Sequence, residues 1–136
     1  MQISPHLGFS GQCAEAFAFY EKCLRGKIEM SMTYGESPMA AQMPPEAQKM
    51  IIHASLAIGD QRLSGADAPG ERYKKPQGIT IAIDVKEESE AERIFGELSR
   101  GGTVQMPLQQ TFWARRFGMC TDRFGIPWMV NCGNPA

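Results

Sequence analysis

The sequence predicts an α+β protein made of two paired βαβββ modules, whose curved mixed sheets surround a cavity. Three observations lead there. Short runs of alternating polarity flank only two amphipathic helical runs. The order of elements starts again after the Pro-, Gly- and Lys-bearing stretch at 67–77 (DAPGERYKKPQ), which divides a first module at 1–66 from a second at 78–136. Matched residues then recur in the two halves at a nearly constant offset.

The first strand is read over 2–10, with Ile3, Leu7 and Phe9 on one face and Ser4, His6 and Gly8 on the other; Pro5 argues for an edge position. Ser10-Gly11 reads as a helix start, Cys13, Phe17, Tyr20 and Leu24 as its apolar stripe, and Gly26 as its stop. Residues 27–34 alternate and form the second strand. The segment GESPMAAQMPPEAQ has three prolines and no period, so it is a loop. Met50–Ile58 and Gln61–Ser64 flank Gly59-Asp60 as a hairpin.

In the second half, GITIAIDV (78–85) is a strand with Ile79, Ile81, Ile83 and Val85 facing a helix, and Thr80, Ala82 and Asp84 on the other side. The helix carries Ala91, Ile94, Phe95 and Leu98 and ends at Gly101. One extended run is expected around Gln109–Cys120. A turn follows at Thr121-Asp122-Arg123, closed by Asp122 and eased by Gly125, and then a last strand at 126–131.

The halves match residue by residue. Glu15-Ala16 meets Glu90-Ala91, Phe19-Tyr20 meets Ile94-Phe95, and Arg25-Gly26 meets Arg100-Gly101. One position further on, Ile28 and Met30 meet Val104 and Met106; the Gly59-Asp60 turn then corresponds to Thr121-Asp122, the first half being longer by about a dozen residues at its Pro-rich loop. This pattern is a duplication of one module, not a solenoid of many short units.

A chain of 136 residues with 43% hydrophobic and 21% charged residues is an ordinary globule with enough core to fold. A net charge of -1 gives no reason to expect nucleic acid as a partner. No apolar run approaches the ~18 residues that span a bilayer, so no membrane partner is expected. No signal peptide is visible, and Cys13, Cys23, Cys120 and Cys132 have neither metal-site nor disulfide-scaffold spacing; they read as reduced thiols of a cytoplasmic protein.

The polar, small-residue sheet faces opposite the helices are poor core; they suit either exposure to solvent or a cavity for a polar ligand. Candidate pocket residues are His6, Tyr34, His53, Trp113, Met129 and Asn131. His53 would hydrogen-bond and change charge near neutral pH. Trp113 would stack on a planar group, whereas Trp128 belongs to the face shared by Ile126 and Val130 and to the core. Arg115-Arg116 reads first as an ordinary solvated pair, the alternative being a fork for a carboxylate or phosphate. Cys13 sits in the first turn of its helix, where the dipole would lower a thiol pKa.

These residues resemble the vicinal oxygen chelate superfamily, with its glyoxalase/bleomycin-resistance fold, and within it the PhnB-like branch, which carries a 3-demethylubiquinone 3-methyltransferase label. The matching pieces are P-x-L-x-F-x-G (Pro5, Leu7, Phe9, Gly11), EAFAFY, HASLAIGD (53–60), GGTVQMPLQQTFWARRFG and TDRFGIPWMVN. The resemblance implies a homodimer, with modules able to exchange between subunits. It also implies a superfamily metal site, with a His on each module's first strand and a Glu after the Gly that opens the last strand. Here Met129 stands at the Glu position and Thr80 at the second His position; the first falls near Ser4 or Pro5, beside His6. Only His6 and His53 are left as weak metal candidates, fewer than the three protein ligands usual for a catalytic zinc. No cofactor is therefore expected. The expected function is metal-free binding of a small, partly aromatic molecule, the other reading being a metal-dependent lyase, isomerase or dioxygenase. The methyltransferase label lacks its signature: Gly101-Gly102 follows a helix, whereas a nucleotide-binding turn joins a strand to a helix.

Overall fold

The computed structural model describes residues 1–134, so the last two positions of the second module lie outside the described residues. The chain forms two compact units that divide between Lys75 and Pro76.

In the first unit, β1 (His6–Phe9), α1 (Cys13–Cys23), β2 (Lys27–Thr33), β3 (Ile51–Ile58) and β4 (Gln61–Asp67) make a four-stranded sheet of order β1-β4-β3-β2 with one helix on it. β1 runs parallel to β4, and the other neighbours are antiparallel. Alternation explains the burial: Leu7 and Phe9, Ala54 and Leu56, and Leu63 and Gly65 turn toward the helix. α1 meets them with Cys13, Ala16, Phe17, Tyr20 and Cys23. Phe17 packs edge-on against both Phe9 and Tyr20, at 6.2 and 5.9 Å between ring centroids. Gly65 is needed for closeness: a Cβ there would lie 2.6 Å from the Phe17 ring.

The second unit repeats the plan with β5 (Ile81–Val85), α2 (Glu88–Ser99), β6 (Thr103–Gln109), β7 (Arg116–Thr121) and β8 (Pro127–Cys132), in the order β5-β8-β7-β6. α2 buries Ala91, Ile94, Phe95 and Leu98 against Cys120, Trp128 and Val130. The duplication reaches an irregularity: β2 shifts register between Ile28 and Met30, and β6 shifts between Val104 and Met106, the residues matched in sequence.

Several expected boundaries move, each for a local reason. Ile3 is 89% exposed and outside β1, because Pro5 has no N–H to extend the ladder, although its carbonyl accepts from Ser64. Ile79 is 74% exposed, because the parallel partner β8 itself starts at Pro127. Helix α1 starts after Gln12, and Leu24 is its half-buried capping residue, leaving Cys23 in the core. The single run expected over 109–120 is broken: Thr111 Oγ1 accepts from the backbone N–H groups of Trp113 and Ala114, and that turn separates β6 from β7. β4 runs on through Asp67, the first residue assigned to the linker. The Pro-rich loop at 35–48 holds only isolated 3-10 turns, tied by Gln48 Nε2 donating to the carbonyls of Ala40 and Met43. Gly101 and Gly102 join α2 to β6, and a Cβ on Gly102 would collide with the Thr121 carbonyl oxygen, so this pair serves close packing within its unit.

Candidate functional site

Each sheet has one face under its helix and one face without a helix. On the helix-free face of the first unit, strand register lines up His6 with Ser64, Ser64 with Ser55, and Ser55 with Met30; beside them Met32 faces His53. The His6 and His53 rings lie nearly parallel (18°) with centroids 6.2 Å apart, and His6 Nδ1 is 2.8 Å from Ser64 Oγ. Burial, followed by the neighbouring His53, holds His6 below the usual imidazole range. Two candidates far apart in sequence are thus brought together. Tyr34 is not free to join them through its hydroxyl, which donates to the Asp67 carbonyl at 3.1 Å.

On the corresponding face of the second unit, Met106 is in register with Met119, Met119 with Met129, and Met129 with Ala82. The next row pairs Phe117 with Asn131 and Asn131 with Asp84, and the Asn131 side-chain amide donates to the Asp84 carboxylate at 3.2 Å. Trp113 reaches this row from the β6–β7 turn, edge-on to Phe117 at 5.1 Å and to the exposed Phe112 at 4.7 Å. Trp128 is 1% exposed, on the helix side with Val130 as alternation along β8 predicts, whereas Trp113, in the turn between β6 and β7, is 42% exposed. Trp113, Met129 and Asn131 share one methionine-lined face, with the Asn131–Asp84 pair as its polar edge.

The register partners Ser55, Ser64, Met30, Met32, Phe117 and Met119 are missing from the sequence-based candidates. The first two were within reach: a two-residue Gly59-Asp60 turn pairs Ile58 with Gln61 and therefore Ser55 with Ser64. The methionines were not, since the bulges in β2 and β6 change the register locally.

Two other expectations change. Arg116 pairs with Glu88 at 2.9 Å and Arg115 donates to the Lys86 carbonyl, so the arginine pair ties the start of β7 to the entrance of α2. Cys13 is wholly buried, and burial together with the Asp67 carboxylate pushes its thiol up to about 12, the reverse of dipole activation.

The donor chemistry does not fit the superfamily's metal. Among the described residues no group of three or more His, Cys, Asp and Glu side chains could hold an ion. The strands of the first sheet carry few carboxylates. Only Glu29 and Asp67 occur: Glu29 pairs with Arg62 at 2.8 Å, and Asp67 accepts from the backbone N–H groups of Gly11, Cys13 and Ile51. No helix among the described residues is long and apolar enough to cross a membrane.

A family model described as 3-demethylubiquinone-9 3-methyltransferase matches residues 1–131. The chain is 34% identical to Protein YjdN of Escherichia coli K12, over 96% of this chain and 95% of that one. Among solved structures, protein PA1353 of Pseudomonas aeruginosa is 44% identical with a TM-score of 0.87, covering 97% of each chain. The PhnB protein of Bacillus cereus has a TM-score of 0.84 at 22% identity, over 98% of this chain and 100% of that one. A glyoxylase/bleomycin resistance protein/dioxygenase domain from Frankia shares the fold at 11% identity and TM-score 0.65, covering 98% of each chain. Strand order, internal duplication and these likenesses agree: the chain belongs to the 3-demethylubiquinone-9 3-methyltransferase family and has the glyoxalase/bleomycin-resistance fold.

Proposed function

We propose that this protein binds a small, partly aromatic molecule against a helix-free sheet face, without a catalytic metal, as a cytoplasmic homodimer. The observation that carries the reading is the gathering of Trp113, Phe117, Met119, Met129 and Asn131 on one face. Thioethers and ring edges adapt to a planar guest, and one amide fixes its orientation. Four buried cysteines are in keeping with a reducing compartment.

The test is a screen of aromatic small molecules against the purified protein by thermal shift and tryptophan fluorescence, with metal analysis of the same sample. A ligand bound to the native state raises its stability by RT ln(1 + [L]/Kd) and should perturb the emission of Trp113. A Trp113→Phe variant should lose that optical change. Absence of any hit among planar aromatics would overturn the binding reading. A stoichiometric divalent metal, with a metal-dependent thermal shift, would replace it with a metal-assisted lyase, isomerase or dioxygenase. A mass of 15.0 kDa by light scattering, that of one chain, would overturn the dimer.

A further inference from the structure

We propose that His6, His53 and Ser64 recognise the acid group, a carboxylate or phosphate, of an amphiphilic ligand whose apolar body lies along Met30 and Met32. This rests on reading the helix-free face as a ligand wall.

Three features of the first unit carry it. The imidazoles are held as a pair, stacked 6.2 Å apart, and Ser64 Oγ fixes one of them through Nδ1. Among the described residues, no hydrogen bond uses His6 Nε2 or either ring nitrogen of His53, so three imidazole nitrogens remain for a guest. The strands also bring the pair no acidic partner. Glu29 is held by Arg62, and Asp67 is 2% exposed and spent on three backbone N–H groups. The other groups nearby are also spoken for or neutral: the Tyr34 hydroxyl donates to a carbonyl, and Ser55 lies across from Ser64.

Burial, and after it the neighbouring His53, oppose protonation of His6. A ligand anion removes both penalties by supplying the negative charge that the sheet lacks. A charge-assisted N–H···O⁻ bond is also stronger than its neutral counterpart. Next to the pair, Met32 stands across from His53 and Met30 across from Ser55, and Met30 is 42% exposed. Flexible thioether side chains beside a polar pair make a wall with one acid-binding end and one apolar end.

The experiment is an NMR titration of the full chain, labelled at histidine rings and methionine methyls, with benzoate, phenyl phosphate, benzamide and acetate. Benzoate or phenyl phosphate should shift both histidine signals together with the Met30 and Met32 methyls, and the better of the two assigns the acid group. Benzamide, of the same shape without the charge, should bind at least about tenfold more weakly, and acetate should reach the histidines without moving the methyls. Binding of benzoate should weaken as pH rises, because His6, whose proton is already disfavoured by burial, must hold one to meet the acid group. His6→Gln and His53→Gln should each reduce benzoate to the benzamide level. Equal affinity for benzoate and benzamide, with methionine shifts, would overturn acid recognition and leave the ligand-wall reading in place. Silence of this face toward every probe, or anion-induced shifts confined to other residues, would overturn the proposal, while the screen against Trp113 decides the wider reading separately.

Discussion

Trp128 donates its indole N–H to the buried carboxylate of Asp122 at 2.8 Å. The other Asp122 oxygen accepts from the backbone N–H groups of Phe124 and Ile126, so one carboxylate shapes the β7–β8 turn and anchors the largest core side chain. Trp128→Ala should cost about 3–5 kcal/mol, from lost burial and an abandoned acceptor. Trp128→Phe keeps most of the volume and should cost less, mainly the hydrogen bond. Chemical denaturation of the three proteins measures the difference. Equal losses for Ala and Phe would mean that packing contributes little there.

Asp67 plays a similar part in the first unit, joining the end of β4 to the entrance of α1 and the start of β3 through Gly11, Cys13 and Ile51. Hydrogen bonds from neutral donors to a buried charged acceptor contribute about 1.5–3 kcal/mol each. Asp67→Asn puts an N–H₂ where one of these donors needs an acceptor, and should destabilise by about 2–4 kcal/mol. Amide hydrogen exchange should speed up first at Cys13 and Ile51. Unchanged exchange at both would remove Asp67 from this role.

Asp67 also shows where sequence reading stopped. Its neighbours Ala68, Pro69 and Gly70 look like a linker, and nothing in the local pattern says that its side chain reaches residues more than fifty positions away. Elements with a strong period were legible: both helices, the Gly59-Asp60 hairpin and the repeat itself follow from spacing alone. Ends were not: Pro5 cuts the first strand short on its own segment, and β5, in the second module, stops where its partner β8 begins at Pro127, a partner identified only by the fold. The site divides in the same way. Trp128 and Trp113 were separable by alternation and aromatic context, whereas the stacking of His6 on His53 needed the β1–β4–β3 order that brings three separate strands together.

The buried thiols predict an alkaline limit on stability. Burial first, then Asp67, pushes Cys13 up to about 12 from an ordinary value of 9.0, and burial with Asp122 pushes Cys120 up to about 11. Both pKa values are raised in the folded chain, so the unfolded chain releases these protons first as pH rises. Their contribution is complete below pH 9 and is lost progressively above it, through about 11 and then about 12. Stability of Cys13→Ala and Cys120→Ala relative to the parent should therefore improve above pH 9, and neither cysteine should react with a thiol reagent in the native protein at neutral pH. Rapid labelling of Cys13 at pH 7 would refute this.

The last prediction separates ligand wall from core. Trp113 has two ring partners, Phe112 and Phe117, but it remains 42% exposed, and its turn is held by Thr111 through backbone groups and not by the indole. Removing it opens little cavity, so Trp113→Ala should cost only about 1 kcal/mol, well below Trp128→Ala. Its effect on an aromatic ligand should be larger, because a stacked ring contributes about 0.5–1.5 kcal/mol beyond the area it covers, or up to roughly tenfold in Kd. His53→Ala should follow the same split, since no hydrogen bond among the described residues depends on its ring. Denaturation and ligand titration on the same three variants resolve the matter. A stability loss at Trp113 as large as at Trp128, with binding untouched by His53→Ala, would make the aromatic cluster plain core and move the ligand to another surface.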